Sequence, residues 1–139
     1  MDPTAYGVRD ANLIKTKALP NGAAAVNSDG IDLGALSGRG ARLAEAEFLL
    51  TAPALTTTEL ADTQTITYKF QHDDDAAFGS PTTLADGVIV QTGAGGAGAV
   101  GQTFRLRPPT NCQRYVRIVA TKTGASNAST ASLTFELLF

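Results

Sequence analysis

RYVRIVATKTGASNASTASLTFELLF, residues 114–139, holds two alternating runs separated by a turn. In the first, Val116, Ile118 and Ala120 alternate with Tyr115, Arg117 and Val119. In the second, Leu133, Phe135 and Leu137 alternate with Thr134, Glu136 and Leu138. Successive side chains of an extended chain point to opposite faces, so a period of two marks a half-buried strand. The stretch predicts strands over 114–122 and 130–138, joined through TGASNAS at 123–129. The same pattern runs upstream. Ile66, Tyr68 and Phe70 share one face of a strand over 64–72. Phe104 and Leu106 alternate with Arg105 and Arg107 over 103–107, where Pro108 and Pro109 stop the run. VIVQ at 88–91 predicts a further short strand.

Toward the N-terminus the signals are weaker. NLIKTKAL (12–19) predicts a first strand, halted by Pro20, Asn21 and Gly22. NSDG (27–30) predicts a tight turn, because Asn, Asp and Gly tolerate positive φ. Residues 31–36 are short and apolar, and SGRG (37–40) breaks the pattern. ARLAEAEFLL (41–50) is ambiguous: its composition favours a helix, while its alternation and nearby Pro53 favour a strand over 45–51, the preferred reading. Residues 54–63 are a polar connection, 72–83 an acidic loop, and 92–101 a glycine-rich loop expected to be flexible. Residues 1–11 form a polar arm ahead of one domain at 12–139. About eight short strands punctuated by turns predict an all-β antiparallel sandwich of jelly-roll type with little helix.

Composition narrows the function classes. Charged residues make up 17% of the 139, below the roughly 25% of an ordinary domain. Thr, Ala, Gly and Ser take their place, which suits a chain that packs against neighbours. The net charge is −2 and the basic residues are scattered, so no nucleic-acid stripe is expected. Cys112 is the only cysteine, which precludes an intrachain disulfide or a cysteine-based zinc site. No apolar run reaches the roughly 20 residues of a membrane span. The opening residues lack the basic start and apolar stretch of a signal peptide, so synthesis and use in a reducing cytoplasm, or in a particle assembled there, are expected.

Motifs that suggest chemistry each fail a structural requirement. Gly93, Gly95 and Gly98 match G-x-G-x-x-G, but a strand follows them where a dinucleotide site needs a helix. His72, Asp73, Asp74 and Asp75 do not follow the calcium-loop spacing and predict a solvated hairpin tip. His72 is the only histidine, and no nucleophile turn accompanies it. Cys112 predicts a loop thiol, and the sequon at Asn127 predicts no modification. The expectation is therefore a non-enzymatic protein with no cofactor, no metal and no catalytic residues.

Four stretches carry a family resemblance: NGAAAVNSDGIDLG (21–34), YKFQHDDDAAFGSPTTL (68–84), FRLRPPTNCQRYVRIVATKTG (104–124) and ASLTFELLF (131–139). Together they resemble the jelly-roll capsid cement, or decoration, proteins of tailed bacteriophages, over roughly residues 12–139. The glycine-rich loop matches no pattern of that family. The resemblance implies a structural protein on the outer surface of the virion head. It would bind the major capsid protein, bridge neighbouring subunits and hold the shell against internal DNA pressure. Assembly in the bacterial host cytoplasm and a homo-oligomer, dimer or trimer, are implied with it; nucleic acid and membrane are not implied as partners. Residues left outside the strand ladder are the expected contacts: Tyr6, Arg9, Leu13, Lys15 and Lys17 of the arm and first strand, Arg39 and Arg42 at the glycine break, and Phe139. The alternative is a carbohydrate-binding or tail-associated sandwich, disfavoured by the absence of Trp and the presence of only three Tyr. A small β hydrolase ranks third.

Overall fold

The computed structural model describes residues 13–34 and 46–138. Among them run nine strands: β1 (Ile14–Ala18), β2 (Ala25–Asn27), β3 (Ile31–Asp32), β4 (Glu47–Ala52), β5 (Thr65–Asp73), β6 (Thr82–Thr92), β7 (Gln102–Leu106), β8 (Tyr115–Lys122) and β9 (Ser132–Leu138). They form two antiparallel sheets, β1-β9-β4-β7 and β2-β8-β5-β6, with β3 also on β8. The pairings nest: β1 with β9, β2 and β3 with β8, β4 with β7, β5 with β6. A long hairpin rolled up across two sheets gives this order, which is the jelly roll. The fold is thus the all-β jelly-roll sandwich that the strand pattern predicts.

The two inner faces meet in an aromatic centre. Phe70 of β5 lies 5.9 Å from Phe48 of β4, 5.7 Å from Phe135 of β9 and 6.2 Å from Phe104 of β7, measured between ring centroids. Phe48, Phe70 and Phe135 are fully buried, and Leu50, Ile66, Ile118 and Leu133 complete the layer around them. The alternation read at 114–138 aims Ile118, Leu133 and Phe135 inward, and that at 64–72 does the same for Ile66 and Phe70.

Three local expectations are corrected. The strand expected at 88–91 is the end of an eleven-residue strand, β6. Its register against β5 breaks twice, between Tyr68 and Phe70 and between Phe70 and Gln71. Asp86 and Gly87, the latter at φ 58°, sit in the first bulge. Such bulges hide the period of two and also twist an edge strand away from further pairing.

The turn expected at NSDG is instead a gap between β2 and β3, which both pair with β8. Ser28 fills it. Its hydroxyl accepts the Ile118 amide at 2.9 Å and donates to the Asp29 carbonyl at 3.0 Å, and the side chain is buried. Replacing Ser28 with Ala strands the Ile118 amide, and denaturant unfolding should register a loss of about 1–2 kcal/mol. Ser28→Thr, which keeps the hydroxyl, should recover part of it.

The glycine-rich loop is the third correction: backbone hydrogen bonds pin it in place. Leu55 and Ala99 exchange both backbone hydrogen bonds, at 2.8 and 3.0 Å, and the Thr63 amide donates to the Gly93 carbonyl. The Asp62 carboxylate receives the Gly96 amide. A side chain at Gly98 would run into the Leu55 carbonyl, and its φ of 69° is disfavoured for other residues. Gly93 and Gly98 therefore admit a neighbouring backbone, while Gly95 and Gly96 supply the positive φ of the turn between them. The favoured strand at 45–51 corresponds to β4; residues 41–45 of the ambiguous stretch lie outside the described residues.

Candidate interaction surface

Of the expected contact residues, Tyr6, Arg9, Arg39, Arg42 and Phe139 lie outside the described residues. Leu13, Lys15 and Lys17 come together on one border of the sandwich. β1 ends its sheet, with β9 as its strand neighbour. Leu13 is half-buried and packs against the core just before β1 begins. Lys15 stands opposite Phe135 and Lys17 opposite Leu133, on the core-facing row. Lys15 is nonetheless half-exposed and Lys17 exposed, because at a sheet border long stems can carry their ammonium groups past the core. Inward-row lysines on an edge strand oppose pairing with another strand unless that strand brings acids.

The outer row of β1 differs. Ile14 stands opposite Glu136 of β9, which in turn stands opposite Leu49 of β4, and Leu49 opposite Arg105 of β7. Glu136 is buried although it belongs to the outer face of its sheet. Arg105 donates to Glu47 at 3.2 Å across that same face. Periodicity read Glu136 only as a solvated alternate, and no signal in the sequence marks its burial.

The acidic tip is occupied by its own backbone. The Asp73 carboxylate accepts the Asp75 and Ser80 amides, at 3.0 and 2.9 Å, and these bonds hold it below the usual carboxylate range. Asp75 accepts the Ala77 and Gly79 amides. Asp74 accepts the Arg114 amide at 3.2 Å. Arg114 grips Asp32 with two parallel bonds, 2.8 and 3.0 Å, and keeps that carboxyl low. The hairpin tip expected at 72–75 is solvated at Asp74 and Asp75, while His72 and Asp73 are buried, and its acids serve as loop staples. No cluster of three metal-ligating side chains occurs among the described residues.

At the opposite end Lys122 is buried with its ammonium on the Gln64 side-chain oxygen (2.9 Å) and the Thr123 and Gly124 carbonyls (both 3.1 Å). Burial lowers its pKa, and the three acceptors match its three protons. Ser126 donates to the same Gln64 oxygen. Of the three tyrosines, Tyr68 is fully buried and Tyr115 lies half-buried under the Arg114 guanidinium, while Tyr6 is outside the described residues. The described residues thus present no tyrosine platform for a sugar ring.

No protein-family model matches the chain, and no curated protein matches it at a significant level.

Proposed function

We propose that this chain is a structural protein of a tailed-bacteriophage head, bound on the outer surface to major capsid subunits as cement. The observation that carries the reading is the β1 border of the jelly roll. It combines an edge strand with a half-exposed lysine and an exposed one, Lys15 and Lys17 respectively. A capsid surface with an extended acidic segment matches that border in both backbone and charge. Low overall charge and a small, closed domain suit a protein that tiles a shell, where many weak contacts sum.

Mature heads lacking their decoration protein provide the test. The protein should co-sediment with them at micromolar concentration. The double reversal Lys15→Glu/Lys17→Glu should weaken that binding by about tenfold, as expected for two ion pairs turned repulsive, while the unfolding midpoint stays nearly unchanged. Absence of co-sedimentation by the unaltered chain overturns the assignment to a head. Unchanged binding by the double reversal overturns the β1 border as its contact.

A further inference from the structure

We infer that His72 is an acid-released latch for the loop that joins β7 to β8. The loop, residues 107–114, is anchored by hydrogen bonds to one residue of β5 and to the residue just after that strand. The His72 ring nitrogen Nδ1 accepts the Gln113 amide at 3.1 Å, and Asp74 accepts the Arg114 amide at 3.2 Å. An imidazole nitrogen that accepts an N–H carries no proton, so His72 is the neutral tautomer protonated on Nε2. Adding a second proton at Nδ1 sets two donors against each other. The bond to Gln113 is then lost and the loop loses its deepest anchor.

The surroundings favour a switch over a fixed state. His72 is buried, inward of Asp73, between Val116 of β8 and Thr82 of β6 in register. The charges that act on the ring are Asp74 and Asp73 at the end of its own strand; of the charged groups on the packed elements, Arg117 of β8 interacts with Asp73, and Arg114 of the loop turns its side chain to Asp32 of β3. The two acids favour the charged ring, and burial opposes it more strongly, so its pKa lies below the ordinary histidine value. A base whose folded pKa is depressed binds its proton more readily when released. The closed loop is therefore fully favoured above about pH 6.5 and is progressively undone as pH falls below it. Asp32 and Asp73 are held below the ordinary carboxylate range by their hydrogen bonds, outside the pH window in which the latch is tested.

Cys112 reports the latch directly. It is buried, adjoins Gln113 and is the only thiol in the chain. The rate of its reaction with 4,4′-dithiodipyridine, divided by the rate for the denatured chain at the same pH, measures opening alone. From pH 7.5 downward the ratio should stay flat and then rise by up to about tenfold per pH unit below 6.5, the slope of one linked proton. His72→Asn keeps an acceptor at that position and removes the titration, so its ratio should stay flat to pH 5. A rise of equal size in His72→Asn, or none in the unaltered chain, overturns the latch. Should His72→Asn fail to fold, nitrogen-15 NMR of the unaltered chain decides. The Gln113 amide must titrate with the same midpoint as the His72 ring, and independent midpoints overturn the proposal.

Discussion

Replacing Phe70 with alanine should lower the free energy of unfolding by about 4–5 kcal/mol, the upper part of the range for a buried phenylalanine. Among the described residues Phe70 is the one ring that touches aromatic partners on three strands of the opposing sheet, Phe48, Phe104 and Phe135. Its edge meets Phe135 at 79°, while Phe48 and Phe104 are tilted at 42° and 50°. Such pairs add roughly 0.5–1.5 kcal/mol beyond area burial. The cavity left behind would sit between two hydrogen-bonded sheets, which cannot collapse into it without bending β5 or β4. Phe70→Leu should cost about half as much, because most of the volume remains. Chemical denaturation with an unchanged m-value is the measurement, and a loss under about 2 kcal/mol for the alanine variant would show that the sheets close over the gap.

Gln91→Leu should destabilise by roughly 3–5 kcal/mol, although leucine is the more apolar side chain. Gln91 is fully buried at the end of β6. Its oxygen receives the Tyr68 hydroxyl at 2.7 Å, and its amide donates to the Pro53 and Val100 carbonyls at 2.8 and 3.0 Å. One side chain therefore ties β6 to the turns that flank β4 and β7 in the other sheet. Leucine would leave a buried hydroxyl and two carbonyls without that partner, each at a cost of about 1–3 kcal/mol. Burial also pushes the Tyr68 phenol up, so it remains a neutral donor across the accessible pH range. Tyr68→Phe removes only the first bond and should cost about 1–2 kcal/mol. The double variant should be milder than the sum, since without the Tyr68 hydroxyl the loss of Gln91 no longer strands a buried donor.

Much of this architecture is legible in the sequence. The strands around Tyr68, Phe104, Val116 and Phe135 are visible because each has one wet face and one dry face, which writes the period of two directly. β6 is not visible along its length, because Asp86 and Gly87 occupy a bulge and interrupt the alternation. β2 is three residues long and exposed apart from half-buried Val26, so it leaves almost no apolar signature. The loops are hidden from the sequence for a different reason. Glycines at 93 and 98 carry the composition of flexibility, yet they serve close approach to the backbone at residues 55–61, a contact with partners more than thirty positions away. His72 likewise depends on Gln113, forty-one residues on. Of the contact residues proposed from sequence, Leu13, Lys15 and Lys17 fall on one border because their spacing follows a single strand. The burial of Glu136 depends on what lies over the outer face of a sheet, which no local pattern encodes.

The position of β9 has a consequence for how the molecule is made. In its sheet β9 is the inner neighbour shared by β1 and β4, so neither can complete its pairing until residues 132–138 have left the ribosome. The other sheet has its β5–β6 hairpin available much earlier. During synthesis at several residues per second, that hairpin can form while the halves of the first sheet wait apart, and the lysines of β1 then stand guard over an unpaired edge. Inward-row lysines on β1 disfavour pairing of that waiting edge with a neighbouring chain, so their value to the fold begins before the first sheet is complete.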